Sequence, residues 1–93
     1  MEPPLKSNEC RYRLGADCVV DPGVVLGYEP SREVQIKPCE IGKGGEIRTN
    51  TIIYTNTFIG DYLETGHNVV IREENKIGHH FKIWNNSCVD YGC

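Results

Sequence analysis

The amino-acid sequence predicts an all-β solenoid in which a short strand and a corner repeat along the chain. From residue 41 onward, an aliphatic side chain returns every six residues with a single exception. An α-helix repeats at about 3.6 residues and a half-buried strand at about 2, so neither alone favours a sustained period of six. The dipeptide Ile-Gly returns every eighteen residues, which indicates that three hexads form one coil. The nine hexads begin at Ile41, Ile47, Ile53, Ile59, Thr65, Ile71, Ile77, Ile83 and Val89.

The period also divides the chain in order from its N-terminus. Residues 1–13 precede the repeat, and we predict a solenoid domain over residues 14–93. The first hexads begin at Leu14, Val20 and Leu26. The proline-containing stretch "GYEPSREVQIKPCE" then separates Leu26 from Ile41 by fifteen residues, which is not a multiple of six. We therefore predict an inserted loop over residues 28–40 and an uninterrupted solenoid after it.

The residue types at the predicted corners agree with this architecture. The third residue after each hexad start is Gly or Asn in six of the nine hexads. Both residue types tolerate the positive φ angle that a tight corner requires. The predicted corner residues are Gly44, Asn50, Asn56, Tyr62, Asn68, Glu74, His80, Asn86 and Gly92.

Length and charge restrict the class of protein. Ninety-three residues form one small domain, which buries only about 60 to 65% of its unfolded surface and often needs a partner. The formal net charge of −3 argues against a surface for nucleic acid or for an anionic membrane. No apolar run is long enough to span a bilayer, and the first residues lack the apolar core of a signal peptide. We expect a cytoplasmic protein with neither a nucleic-acid nor a membrane partner.

Cysteine usage agrees with a reducing compartment. The five cysteines are an odd number and include no C-x-x-C pair, so they fit neither a closed disulfide framework nor a zinc knuckle. We interpret them as reduced thiols, most of which pack inside the fold.

The hexad that begins at Thr65 departs from the pattern. Steps of eighteen residues give the expected stacking neighbours of each residue. These are Ile47 and Ile83 for Thr65, Arg48 and Trp84 for Gly66, Thr49 and Asn85 for His67, and Asn50 and Asn86 for Asn68. A hydroxyl thus replaces an apolar side chain, a glycine stands between two large residues, and a titratable side chain lies at the adjoining corner. We predict a notch at residues 65–68 that can admit a substrate.

Each candidate residue also has a purely structural interpretation, and both interpretations stay open at this point. Histidine ordinarily titrates near neutrality, so His67 is a candidate general base. In the structural alternative, His67 is only a polar corner residue and Asn68 is the corner residue with left-handed backbone geometry. Gly66 then relieves crowding, and the Thr65 hydroxyl bonds to the backbone. Arg48 and Arg72 then belong to a solvated face.

On these repeats, residues 14–93 resemble the hexapeptide-repeat transferases. The segment "GGEIRTNTIIYTNTFIGDYLETGHNVVIREENKIG" is similar to acyltransferases that N-acetylate amino sugars carried on a nucleotide. That similarity rests on Arg48, Tyr54, "IGD" and "GHNVVIRE". The resemblance implies a left-handed parallel β-helix of about four coils with one inserted loop. It further implies acetyl-CoA as co-substrate, a nucleotide-linked amino sugar as acceptor, a homotrimer, and no metal.

The resemblance also suggests roles for individual residues. Asn68 matches an asparagine near the amino-sugar site between subunits, whereas the position of His67 is not always histidine in that family. We expect His67 as the catalytic residue. The expected substrate-binding residues are Asn68, Gly66, Thr65, Arg48, Trp84 and Arg72.

Two alternatives belong to other functional classes. One is a non-catalytic trimeric β-helix scaffold. The other is a γ-type carbonic anhydrase, which shares the fold and binds zinc with three histidines across a subunit boundary. The three histidines of this chain include the adjacent pair His79 and His80, which suits a tetrahedral zinc site poorly. The period is still running at Cys93, so we expect the β-helix to continue in a longer protein, of which this chain is an N-terminal fragment whose own activity is open.

Overall fold

In the computed structural model, which describes residues 11–93, every regular element is a short β-strand. The predicted N-terminal segment 1–13 therefore lies mostly outside the described residues. The strands within residues 11–93 are β1 (Tyr12–Leu14), β2 (Val19–Val20), β3 (Val25–Tyr28), β4 (Cys39–Ile41), β5 (Glu46–Ile47), β6 (Ile52–Tyr54), β7 (Thr57–Ile59), β8 (Glu64–Thr65), β9 (Val70–Ile71), β10 (Asn75–Ile77), β11 (Lys82–Ile83) and β12 (Cys88–Val89).

These strands form three parallel sheets of four strands each. The first sheet contains β1, β4, β7 and β10, the second contains β2, β5, β8 and β11, and the third contains β3, β6, β9 and β12. Successive strands enter successive sheets, so three strands complete one coil. The protein is a left-handed parallel β-helix of about four coils, and this prediction from the sequence is confirmed.

The hexad starts pack in the core in the predicted register. Ile59 pairs with Ile41 in one neighbouring coil and with Ile77 in the other. Five hexad starts of the central coils are at most 5% exposed: Ile41, Ile47, Ile53, Ile59 and Ile71. The starts in the last described coil, Ile77, Ile83 and Val89, pack against this core but are only partly buried, because that coil has a neighbour on one side only.

All nine predicted corner residues adopt a positive φ angle. Three of them are neither Gly nor Asn: Tyr62, Glu74 and His80, each with a φ of 62°. Such residues resist this conformation by about 1–2 kcal/mol, so the corner geometry comes from the coil rather than from the residue type. The rings of Tyr62 and His80 stack with centroids 5.0 Å apart, which offsets part of that strain.

The predicted loop over residues 28–40 connects the third sheet to the first. Residues 29–38 contain no strand, and Asn56 fixes the second half of this loop. The side-chain Nδ2 of Asn56 donates to the carbonyl of Gln35 at 2.6 Å, and its backbone N–H donates to the carbonyl of Lys37 at 2.8 Å. The loop therefore lies against the corner between the third and first sheets.

A buried carboxylate fixes the first half of the same loop. Glu73 is fully buried and accepts hydrogen bonds from Nε of Arg32 at 2.6 Å and from Nε of Arg72 at 3.2 Å. Burial by itself raises the pKa of Glu73. The hydrogen bonds from its own backbone N–H and from Arg32, with the positive charge of Arg72, outweigh burial and lower that pKa below its ordinary value. Glu73 therefore stays ionised and holds the loop.

Candidate functional site

A groove runs along the outer face of the second sheet at the position of the predicted notch. Its volume is about 280 Å³. It is lined by Glu46, Arg48, Glu64, Thr65, Gly66, His67, Trp84 and Asn85. Five of the seven residues that the sequence singled out therefore lie together in one groove.

Thr65 forms the inner wall of the groove and changes the hydrogen-bond ladder of its coil. Its side chain is buried, and its hydroxyl accepts the backbone N–H of Arg48 at 3.1 Å. The equivalent N–H groups of Gly42 and Gly60 donate to backbone carbonyls of the next coil, both at 2.9 Å. The missing aliphatic residue thus places a side-chain acceptor where the coil otherwise uses the backbone.

Gly66 is required by the coil as well as by the groove. A Cβ atom at this position would lie 2.6 Å from the backbone nitrogen of Asn85, a distance that real Cβ atoms do not show. The same restriction holds at Gly42 and Gly60, whereas Arg48 occupies the equivalent position one coil earlier, so the restriction depends on the neighbouring coil at each site. The absence of a side chain nevertheless leaves open the space between Arg48 and Trp84, and Trp84 is 73% exposed at one wall.

Two hydrogen bonds orient His67 at the edge of the groove. Its Nδ1 lies 2.7 Å from the hydroxyl oxygen of Thr49, and its backbone N–H donates to Oδ1 of Asn85 at 2.7 Å. If the Thr49 hydroxyl donates to Nδ1, the proton of the neutral ring is on Nε2. In either tautomer, Thr49 fixes the imidazole from one neighbouring coil, and Asn85 fixes the backbone of His67 from the other. The side chain itself is exposed to solvent.

Two carboxylates in the groove were missed by the sequence reasoning. Glu64 pairs with Lys82, with 3.4 Å between Oε2 and Nζ. Glu46 has no ion-pair partner among residues 11–93. Both precede a hexad start by one residue, and Glu46, Glu64 and Lys82 follow one another at intervals of eighteen. That column was available in the sequence, but the hexad starts and corners alone do not reveal it.

Two predicted substrate-binding residues do not line the groove. Asn68 lies past the corner with a φ of 57°, and its backbone N–H donates to the carbonyl of Thr49 at 2.9 Å. Arg72 lies beyond the second sheet, where its guanidinium contacts Glu73 and the ring of Tyr54. Arg72 thus acts in the anchoring of the inserted loop, because the corner at Asn68 has already turned the chain toward the third sheet.

His67 lies apart from the other two histidines of the chain. His79 and His80 occupy a different corner from His67, where His80 stacks on Tyr62 and Nδ1 of His79 accepts the N–H of Asp61 at 2.8 Å. Within residues 11–93, no group of three or more His, Cys, Asp or Glu side chains is arranged to hold a metal ion. The same residues contain no helix long and apolar enough to cross a membrane.

Comparison with known proteins finds no family model, no curated protein and no solved structure that matches this chain. The class that the fold defines is therefore a small left-handed parallel β-helix protein with a polar groove on its second sheet.

Proposed function

We propose that this protein is an acetyl-CoA-dependent acyltransferase that acetylates an amino group on a nucleotide-linked sugar, with the amino sugar bound in the groove. The observation that carries the proposal is the imidazole of His67, which Thr49 orients while Asn85 holds the backbone, in the same groove as the carboxylate of Glu46, which has no ion-pair partner within residues 11–93. The resemblance of residues 44–78 to sugar N-acetyltransferases suggests the substrate class.

The chemistry needs few groups from the protein. The amine nitrogen attacks the thioester carbonyl, a C–N bond forms, the C–S bond breaks, and CoA leaves as a thiol. The amine loses one proton, which Nε2 of His67 accepts when Nδ1–H donates to the Thr49 hydroxyl; the proton then passes to the leaving sulfur, so the step balances. The substrate enters as an ammonium ion next to Glu46 and gives one proton to solvent before the attack, because only the neutral amine has the lone pair that attacks the carbonyl; the groove supplies the orientation.

The proposal includes a homotrimer in which the groove lies between subunits. An apolar column runs along the outer face of the third sheet: Val25, Ile52, Val70 and Cys88, one per coil and in register. Val70 follows His67 by three residues, directly after the corner. A second copy that covered the apolar column would therefore form a further wall of the groove next to His67.

Sedimentation equilibrium tests this association. We expect three times the monomer mass for the unmodified chain, and a monomer with unchanged circular dichroism for the double variant Ile52→Glu, Val70→Glu, because charges cannot be buried unpaired. A folded monomer of the unmodified chain at micromolar concentration would remove the trimer from the proposal.

The enzymatic test measures CoA thiol release with a panel of nucleotide-linked amino sugars. We expect His67→Ala to lower kcat by about 100-fold or more, because the amine proton then has no acceptor. Glu46→Gln should mainly raise the KM of the sugar. The matched control is His79→Ala, a histidine at another corner, which should leave turnover unchanged.

A trimer that neither binds acetyl-CoA nor consumes it with any sugar of the panel would favour the non-catalytic scaffold. Equal loss of turnover in His67→Ala and His79→Ala would count against His67 as the base. Calorimetric titration with acetyl-CoA alone separates these outcomes, because binding does not depend on the proton acceptor.

A further inference from the structure

A second and larger cavity lies between the inserted loop and the outer face of the first sheet; we call it the loop cleft. Its volume is about 540 Å³, compared with about 280 Å³ for the groove. The loop contributes Gln35 and Lys37, and the sheet contributes Phe58 and Lys76. None of these residues belongs to the groove or to the proposed chemistry.

The walls of the loop cleft are held by buried amide side chains. Asn56, which is 9% exposed, binds the loop through Gln35 and also accepts the backbone N–H of Lys37 on Oδ1 at 3.2 Å. Asn75, which is 2% exposed, donates from Nδ2 to the carbonyls of Arg72 at 3.0 Å and Asp90 at 2.8 Å. Because these hydrogen bonds fix both walls, the protein itself sets the shape of the cleft.

The loop cleft carries positive charge that no carboxylate within residues 11–93 pairs with directly. Within residues 11–93, six cationic side chains have a carboxylate partner: Arg11, Arg13, Arg32, Arg48, Arg72 and Lys82. Three lysines within residues 11–93 have no carboxylate partner in that range, and two of these three, Lys37 and Lys76, flank the cleft. The carboxylate of Glu74 also lines the cleft, but it lies 3.6 Å from Nη2 of Arg32 and is offset by that charge.

Phe58 gives the loop cleft an apolar floor beside these charges. Phe58 pairs with Lys76 in one neighbouring strand and with Glu40 in the other. The carboxylate of Glu40 forms an ion pair with Arg13, with 3.8 Å between Oε1 and Nη1. Adjacent strands are about 4.8 Å apart, so the phenyl ring and the Lys76 stem lie side by side. A flat ring on Phe58 would place an attached anionic group between the two ammonium groups.

We propose that the loop cleft is a binding site for a small molecule in which an aromatic ring carries a phosphate group. The ring packs on Phe58, the phosphate accepts hydrogen bonds from Lys37 and Lys76, and the side-chain amide of Gln35 contacts the ring edge. The protein as a whole carries a net charge of −3, which repels anions. The two lysines make the cleft a local site of positive charge that favours anions.

Calorimetric titration of the 93-residue chain tests the proposal with three probes: phenyl phosphate, inorganic phosphate and benzyl alcohol. We expect phenyl phosphate to bind at least tenfold more tightly than either part alone. Lys37→Gln and Lys76→Gln should each weaken phenyl phosphate by about tenfold, as expected for a lost charge-assisted hydrogen bond. Phe58→Leu should weaken phenyl phosphate by roughly threefold or more and leave inorganic phosphate unchanged.

The matched control is Lys43→Gln, at a corner outside the loop cleft; Lys43 is the third lysine without a carboxylate partner among residues 11–93, and its removal should leave every affinity unchanged. A further titration compares adenosine monophosphate with phenyl phosphate. Tighter binding of adenosine monophosphate would indicate a nucleotide as the ligand, and tighter binding of phenyl phosphate a simple phosphorylated arene. The proposal is overturned if phenyl phosphate does not bind at millimolar concentration, or if the Lys37→Gln, Lys76→Gln double variant binds it as well as the unmodified chain.

The thiol of Cys93 supplies an independent measurement, because Cys93 lines the loop cleft and is exposed. We expect saturating phenyl phosphate to slow alkylation of Cys93 by a maleimide, read by peptide mass spectrometry. Cys18 is partly exposed, lies outside both the loop cleft and the apolar column of the third sheet, and is the internal control, whose alkylation rate should stay constant. Equal protection of both thiols, or of neither, would contradict binding in the cleft.

Discussion

At the scale of single residues, two buried hydroxyls explain how the groove forms inside a regular repeat. The Thr65 hydroxyl accepts the N–H of Arg48, and the Thr51 hydroxyl, 3.5 Å from it, donates to the carbonyl of Gly66 at 3.1 Å. Both side chains are buried, and each hydroxyl has a hydrogen-bond partner in the core. The groove therefore begins with a local exchange of backbone for side-chain hydrogen bonds.

Replacing Thr65 with valine tests this exchange. Valine has nearly the same volume but no acceptor, so we expect the Arg48 N–H to bond to the carbonyl of residue 65, as Gly42 and Gly60 do with their partners. The free energy of unfolding should rise by about 0.5–1 kcal/mol in urea denaturation, because an apolar group replaces a buried hydroxyl.

The control for this substitution is Thr57→Val. The Thr57 hydroxyl donates to the carbonyl of Arg72 at 2.7 Å, and its loss leaves that carbonyl without this donor. We expect a decrease of about 1 kcal/mol there. A decrease of the same size in Thr65→Val would mean that the Thr65 hydroxyl cannot be replaced by the backbone.

Asn68 allows a structural role to be separated from a substrate-binding role. Its φ of 57° favours Asn or Gly, so Asn68→Ala should lower the free energy of unfolding by about 1 kcal/mol, whereas Asn68→Gly should change it little. If the amide binds substrate, both variants raise the KM of the sugar. Thermal unfolding and steady-state kinetics of the pair give the answer, and a normal KM in Asn68→Gly would assign Asn68 to the corner alone.

At the scale of elements, the inserted loop is held by the solenoid rather than by strands of its own. Residues 29–38 contain no strand, yet the loop is fixed at Asn56 and at Glu73. Arg32 lies over the ring of Tyr91 at 4.1 Å, so the anchor combines an ion pair with a cation–π contact. This anchoring also forms one wall of the loop cleft.

The buried anchor predicts a specific dependence of stability on pH. The folded-state pKa of Glu73 is lowered, so its stabilisation is present above the unfolded value of about 4.3 and is lost as pH falls through the lower folded value. Glu73→Gln should lower the free energy of unfolding at pH 7 by about 1–3 kcal/mol, since Arg32 and Arg72 are partly exposed.

Urea midpoints between pH 3 and pH 7 measure this effect. The unmodified chain should lose stability below about pH 4, and Glu73→Gln should lose less over the same interval. The control is Glu64→Gln, whose partly exposed pair with Lys82 should matter little. Parallel curves for the unmodified chain and Glu73→Gln would contradict the anchor.

At the scale of the whole molecule, the core is built coil upon coil, and each coil contacts only its neighbours. Hexad starts in the central coils are buried from both sides, whereas Ile83 in the last described coil is covered from one side only. Stability should therefore depend on position along the solenoid axis.

Truncation of isoleucines at two positions tests this dependence. Ile59→Ala should lower the free energy of unfolding by about 2–5 kcal/mol, because neighbouring coils cannot collapse into the space. Ile83→Ala should cost less than half as much, since that side chain is partly exposed already. Equal losses in chemical denaturation would contradict a dependence of stability on position along the solenoid axis.

Adding eighteen to a residue number was enough to predict the coil, the corners and the neighbours of most residues. The stack of Ile41, Ile59 and Ile77 follows from this arithmetic, and so does the meeting of Arg48, Gly66 and Trp84 at the groove. The reason is that a solenoid makes its contacts between equivalent positions of adjacent coils, so a local period contains the long-range pairing.

Only the tertiary structure decided what the inserted loop contacts. Arg32 and Glu73 are 41 residues apart, which is not a multiple of eighteen. The separation of Lys37 and Lys76, which line the same cleft, is not a multiple of eighteen either. The inserted loop has no repeat from which its contacts could be predicted. Its position depends on the hydrogen bonds that Glu73 and Asn56 form with it. Those contacts are set by burial and hydrogen bonding in three dimensions, which spacing along the chain does not encode.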